Sequence, residues 1–175
     1  MIIDVNWNFE KSASHLVVLD RDDTLIRDAR GNKSFHPSLI NVLLVEKLLT
    51  IQTGVYFAIA TNQSAIADGL ISYTEIINFH NSVILELQKL QLSVIAVAFC
   101  PHSIKKKVPD RCLCRKPKGK MLSSLSSLLK ISSNNSLFIG NNQTDFEAAQ
   151  ESGFKYLDVA EATKVSALEK WKSQN

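Results

Sequence analysis

The sequence predicts an α/β fold: a Rossmann-like, doubly wound, mostly parallel sheet with helices on both faces and no large cap domain. Three observations carry this. Short β-branched runs alternate with longer stretches of helical period. The runs are apolar almost throughout, as strands covered on both faces are. Four of them also end in groups able to do chemistry, at the carboxyl ends where such sheets carry their sites. These are Asp20, Thr61, Cys100 and Gly140 followed by Asn141.

The elements follow in order. "LVVLD" (16–20) reads as the first strand. From 37 to 52, Leu39, Ile40, Leu43, Leu44, Leu48 and Ile51 keep a helical period that starts at Pro37, and Gly54 closes it. "VYFAIAT" (55–61) is the second strand. Ser72 with Glu75 makes a capping box before the helical "IINFHNSVILELQKL". "VIAVAFC" (94–100) is the third strand, "MLSSLSSLLKI" (121–131) a helix, and "LFIG" (137–140) the fourth strand. "TDFEAAQES" is a helix stopped by Gly153, "KYLDV" (155–159) a last strand, and "EATKVSALEKWK" a final helix. Without an internal repeat or a Pro-, Gly- or Ser-rich linker, residues 1–175 read as a single domain, expected to be a monomer.

Composition bounds the function. With 45% hydrophobic and 21% charged residues, the chain reads as an ordinary soluble globular protein. No apolar run reaches the ~18–20 residues a membrane span needs. The start, MIIDVNWNFEKSAS, lacks a basic segment followed by an apolar one, so a cytoplasmic, reducing location is expected. The net charge of +3 is unevenly spread: residues 105–120 hold eight of the 20 basic residues and one acid, Asp110. A local positive patch implies an anionic partner near one site.

Four constellations carry chemistry. In "LDRDDTLI", Asp20 and Asp22 stand two apart just past a strand. Such carboxylates either bind a hard cation such as Mg2+ or divide nucleophile and acid roles. In "AIATNQSAIADG", Thr61 and Asn62 offer a hydroxyl, an amide and backbone N–H groups, the neutral donors that cradle a phosphoryl group. In "CRKPKGK", Lys116 is a point charge for a phosphate oxygen and Arg115 can bind one with two parallel bonds. In "FIGNNQTDFEAA", Asn141 and Asp145 could complete a Mg2+ site begun by Asp20.

All three cysteines fall in one stretch with a histidine: Cys100, His102, Cys112 and Cys114, spaced C-x-H-x9-C-x-C over a loop at 100–114. Four soft ligands in two close pairs suit tetrahedral Zn2+, and a site filled by protein ligands is structural. Its use is to hold Arg115 and Lys116, just after Cys114, over the phosphate pocket. A zinc ribbon for nucleic acid competes, but Tyr56, Tyr73 and Phe99 are not interleaved with the basic residues. His80, inside a helix pattern, reads as structural.

Together these motifs resemble the haloacid dehalogenase superfamily of aspartate-nucleophile phosphatases. More narrowly, DRDxT, TNQS, the Cys/His knot and CRKP resemble the D-glycero-D-manno-heptose 1,7-bisphosphate and histidinol-phosphate phosphatase group, and "TNQSAIADG" is closer to the heptose enzymes. The resemblance implies a small phosphorylated sugar as substrate, with neither nucleic acid nor membrane as partner. It implies Asp20 as nucleophile, Asp22 as acid and then base, and Thr61, Asn62 and Lys116 as phosphoryl ligands. Arg115 would contact substrate beyond them. Mg2+ would be held by Asp20, Asn141 and the Asp22 carbonyl, with Asp145 supporting. Departures stand at Asp23 and Ala65, where the heptose enzymes have Gly, at Asp68, where they have Arg, and at Gly119-Lys120, where Pro-Gly is usual. At Asn141 the superfamily has a metal-binding Asp. A weakly active or inactive homologue that binds or regulates is the alternative this last departure supports.

Overall fold

The computed structural model describes residues 1–5, 12–27, 34–103 and 112–174. Trp7, the lysine run at 105–107, Asp110 and Arg111 lie outside the described residues. The elements run β1 Ile2–Val5, β2 His15–Leu19, α1 Val42–Thr50, β3 Val55–Asn62, α2 Tyr73–Lys89, β4 Val94–Cys100, α3 Lys120–Leu129, β5 Ser136–Gly140, α4 Gln143–Ser152, β6 Lys155–Asp158, α5 Val159–Ala162 and α6 Ala167–Ser173. The six strands form one sheet in the order β1-β4-β3-β2-β5-β6. Every pair is parallel except β1 with β4.

The two-residue period of a strand explains how one sheet serves two cores. In β2, Val17 and Leu19 point to one face and pack with Leu44 and Leu48 of α1 and with Phe79 and Val83 of α2. Leu16 and Val18 point to the other, among Met121, Leu122 and Leu125 of α3 and Ala148 and Ala149 of α4. All four β2 residues are fully buried, which accounts for the unbroken apolar run. Because the neighbours of β2 are parallel to it, the ends of β2, β3 and β5, and of β4 beyond, converge on one edge. Among the described residues no helix is long and apolar enough to cross a membrane.

Three elements differ from expectation. The strand β1 has no counterpart in the sequence reading; only four residues long, it adds to an edge by antiparallel pairing of Ile2 with Phe99 and Val5 with Ala96. The helix expected over 37–52 is a 3-10 turn at Pro37–Leu39, then α1. Ile40 bridges Ile26, and Asn41 donates to the Thr24 carbonyl at 3.0 Å, so these residues tie down the loop after β2 instead of continuing a helix. The final helix is split, with Ser166 left-handed at φ 60° between α5 and α6, and Asp158 ending β6 by capping α5.

Candidate active site

Asp20 follows β2 directly, and its N–H donates to the Ile139 carbonyl of β5 at 2.8 Å. The chain then turns tightly: the Arg21 carbonyl accepts from Leu25 and Ile26, and Asp23 N–H donates to the Ile26 carbonyl. The turn needs a left-handed residue at Asp23, φ 60°. Glycine takes that conformation freely and Asp tolerates it, so the departure at 23 keeps the turn.

Three strand ends bring partners to Asp20. Lys116 is buried, 4% exposed, and its Nζ lies 2.6 Å from Asp20 Oδ1 and 2.7 Å from Asp145 Oδ1. It also donates to the Ala60 carbonyl at 3.1 Å. Asp145 sits in the first turn of α4, where its Oδ2 accepts the Asn141 and Asn142 N–H groups, each at 3.1 Å. The approach is close because Gly140 has no side chain: a Cβ there would lie 2.5–2.7 Å from Asp145. Asn62 at the end of β3 grips the backbone of Lys116, its Nδ2 on the carbonyl and its Oδ1 on the N–H, both 3.1 Å.

Burial and the neighbouring charges together set the electrostatics. Burial pushes the Asp20 carboxyl up to about 6; Lys116 opposes the shift, and the carboxylates of Asp145 and Asp22 add to it. Burial works against the charge on Lys116, but Asp20 and Asp145 outweigh it and hold the amine above its usual value. The two shifts differ in origin: burial leads at Asp20, with the neighbouring carboxylates adding to it, whereas at Lys116 the two carboxylates overcome burial. Asp22 is held from two sides. Arg21 donates Nε to Oδ1 at 2.7 Å and Nη2 to Oδ2 at 3.1 Å, while Gln63 Nε2 donates to Oδ2 at 3.0 Å. Gln63 also donates to Thr61 Oγ1 at 2.9 Å, which leaves the Thr61 hydroxyl hydrogen to be donated into the cleft.

Asp20, Asp22, Thr61, Asn62, Arg115, Lys116 and Asp145 thus line one cleft of about 280 Å3, a size for a small ester. Asn141 does not contribute to the lining; Asn142 does, and donates Nδ2 to Asn141 Oδ1 at 2.5 Å. The Asn62 side chain, expected among the phosphoryl ligands, is engaged on Lys116. Arg21, Gln63 and Asn142 were not picked out as site residues. Gln63 lay inside TNQS and Arg21 between the two aspartates, so position in the motifs was the available signal.

Oxygen donors around an excess of carboxylate charge are the chemistry Mg2+ takes, and Asp20 and Asp22 fit that ion; Asn141, outside the lining with its Oδ1 on Asn142, would have to turn to join them. The sulfur and nitrogen ligands gather separately. Within the 100–114 loop, Sγ atoms of Cys100 and Cys114 lie 3.6 and 3.5 Å from that of Cys112, and His102 Nδ1 is 3.0–3.3 Å from all three. Tetrahedral Zn–S bonds of about 2.3 Å set edges of roughly 3.8 Å, so the cluster fits zinc after slight expansion. The knot reaches the cleft directly: Arg115 Nη1 donates to the His102 carbonyl at 3.5 Å.

A nucleophile-type carboxylate on the central strand, a lysine paired to it and an acidic helix start after β5 define a class. It is the haloacid dehalogenase-type phosphatases, phosphoric monoester hydrolases, and the comparisons agree. The sequence profile described as polynucleotide kinase 3 phosphatase matches residues 15–168, and the chain belongs to that family. It is 32% identical over 147 residues to a probable D-glycero-D-manno-heptose-1,7-bisphosphate 7-phosphatase of Thermoplasma acidophilum, covering 82% of this chain and 89% of that protein. It is 26% identical over 144 residues to the histidine biosynthesis bifunctional protein HisB of Blochmanniella floridana, covering 80% of this chain and 39% of that one. A crystal structure of D,D-heptose 1,7-bisphosphate phosphatase from B. bronchiseptica, complexed with magnesium and phosphate, superposes with TM-score 0.68 at 26% identity, covering 81% of this chain and 78% of that chain. For two of the curated relatives the chain spans half of their length or less, 49% and 39%.

Proposed function

We propose that this protein hydrolyses a small sugar-phosphate monoester in a Mg2+-dependent reaction through an aspartyl-phosphate on Asp20. The foremost candidate is D-glycero-D-manno-heptose 1,7-bisphosphate, with the heptose 1-phosphate as product. The observation that carries this reading is the convergence of Asp20 and Asp22 with Lys116, which is paired to Asp20 at 2.6 Å. Relatives named as heptose bisphosphatases support the substrate. The reading brings with it a cytoplasmic, monomeric enzyme of lipopolysaccharide-type carbohydrate metabolism.

Asp20, Asn141 and the Asp22 carbonyl would hold Mg2+, with Asp145 behind them, and the charge of the ion would let a carboxylate approach a phosphate. Asp20 attacks phosphorus in line, and the ester oxygen leaves with a proton from Asp22. Asp22 then takes a proton from the water that cleaves the aspartyl-phosphate. Lys116 and the Thr61 hydroxyl meet the phosphoryl oxygens, and Arg115 reaches the substrate beyond. Asn62 acts through its backbone and by holding Lys116. Cys100, His102, Cys112 and Cys114 would hold structural Zn2+.

The test is phosphate release with Mg2+ from heptose 1,7-bisphosphate, histidinol phosphate and a 3′-phosphorylated oligonucleotide, with Asp20→Asn as control. Preference for the heptose ester by about tenfold or more in kcat/KM is expected. Preference for histidinol phosphate or the oligonucleotide would reassign the substrate. No turnover of any ester would favour a binding or regulatory role, the reading that Asn141 supports.

A further inference from the structure

Arg21 and His80 form a chain behind Asp22 that the reaction scheme leaves unused. Arg21 is 4% exposed, its guanidinium stacked on Phe79 with the central carbon 4.8 Å from the ring centroid. It spends Nε and Nη2 on the two oxygens of Asp22. Its remaining nitrogen, Nη1, lies 3.0 Å from Nε2 of His80, a buried residue of α2 that is 59 positions away in the chain. An arginine can only donate, so His80 Nε2 must accept and the ring hydrogen sits on Nδ1. Burial and then the Arg21 charge push the His80 pKa down to about 3, in keeping with a neutral ring.

His80 is hard to explain by packing. Its ring packs edge-on to Phe99, centroids 5.2 Å apart, in a pocket that an aromatic hydrocarbon would fill as well. Its Nδ1 is buried, with no partner among the described residues. A buried polar atom left without a partner destabilises the fold. The only side-chain hydrogen bond of His80 among those described is the one to Arg21. The fold therefore bears a cost at His80 whose return is a fixed guanidinium.

The consequence falls on one oxygen. A carboxylate has about four lone-pair sites, two on each oxygen. Asp22 Oδ2 has both engaged, by Arg21 Nη2 and Gln63 Nε2, whereas Oδ1 has one, by Arg21 Nε. We infer that Arg21 and His80 are positioning residues for Asp22, and that the travelling proton is carried on Asp22 Oδ1. In the first half-reaction the Asp20–phosphorus bond forms as the ester P–O bond breaks, and the Oδ1 proton goes to the departing alkoxide oxygen. In the second, water oxygen bonds to phosphorus, the aspartyl P–O bond breaks, and the proton of water returns to Oδ1. The inference rests on the reading of Asp22 as the acid.

Two esters separate positioning from simple structural damage. The C7 oxygen of heptose 1,7-bisphosphate is a poor leaving group that needs a proton, whereas p-nitrophenolate leaves without one. The ratio kcat/KM covers steps only through loss of that group. For Arg21→Met, kcat/KM on the heptose ester is expected to fall about 30-fold or more, within the range of general-acid effects. On p-nitrophenyl phosphate it should stay within about threefold. Arg21→Lys, which keeps charge but loses the fork, should behave alike, and His80→Phe should show a selective loss of about three- to tenfold. Equal losses on both esters, or none, would overturn the inference. Asp22→Asn in the same assay tells the two failures apart. If it shows no selectivity for leaving group, the reading of Asp22 is wrong; if it does and Arg21→Met does not, only the positioning chain is wrong.

Discussion

Replacing Asp20 by Asn is expected to abolish turnover and yet stabilise the protein. Asp20 is 5% exposed, shares Lys116 with Asp145, and has a carboxyl pushed up from 3.8 to about 6. A folded pKa above the unfolded one gives stability that is fully present below 3.8 and is lost as pH rises through about 6. By neutral pH the loss amounts to about 3 kcal/mol. An amide never ionises and so avoids it. Against this, Asn brings two N–H donors into a site built for acceptors, and the Lys116 contact loses its charge. A net gain of about 1–3 kcal/mol remains, or roughly 3–10 °C in Tm for a chain of this size. The assay is thermal unfolding of both proteins, zinc retained and no Mg2+ added, from pH 4 to pH 8. The gap should be lowest near pH 4, complete about half of its rise by pH 5 and level off above pH 7, the constant cost of the amide shifting the whole curve down. Added Mg2+ should narrow it by stabilising the wild type. A variant less stable at pH 7.5, or a gap that ignores pH, would refute the charge count.

Cys112→Ser should reduce bound zinc from one equivalent per chain and lower stability by several kcal/mol, read by metal analysis and melting; unchanged Tm on zinc loss would remove its structural role. Gly140→Ala places a methyl group 2.5–2.7 Å from Asp145 and should cost about 1–3 kcal/mol. Because Asp145 holds Lys116, kcat should also fall on the order of a hundredfold, and activity within twofold of wild type would show that Asp145 can shift harmlessly. Asn141→Asp adds a charge where the superfamily has one and should lower the Mg2+ concentration for half-maximal activity about tenfold to a hundredfold. An equal or higher Mg2+ requirement would mean that Asn141 is not a metal ligand.

What was legible in the sequence is what strands and spacing encode. Asp20, Thr61 and Cys100 could be placed because each follows a run whose apolar character marks a strand, and parallel strands deliver their ends to one edge. The cluster of Cys100, His102, Cys112 and Cys114 was legible because two close pairs carry their own geometry. Arg21 was not, since its neighbours in sequence are solvent-seeking residues of a turn. Its burial comes from Phe79 and His80 on α2, contacts that exist only after β2 and β3 pair and α2 docks on them. For the same reason His80 looked like an ordinary helix residue. The left-handed Ser166 that splits the last helix has no sequence mark, because serine rarely adopts that conformation.

The two aspartates of the DRD motif show why neither could take the other's part. Asp20 lies buried at the end of β2, and that burial, with Asp145 and Asp22 beside it, raises its carboxyl against the pull of Lys116. On the proposed reading, a carboxylate there gains by binding a cation. Asp22, two residues on, has a side chain 21% exposed and three donors already on its oxygens. Asp22 lines the cleft, and Oδ1 is the oxygen that these donors leave with an unengaged lone pair. On the proposed reading, this separation of surroundings suits Asp20 to attack and Asp22 to carry the proton. In this chain the separation is produced by Lys116 and Asp145 on one side and by Arg21 and Gln63 on the other. An Asp22→Glu change would therefore not be conservative: one extra methylene would carry the carboxylate off the Arg21 fork and leave Nη2 and Nε competing for a group that no longer matches them.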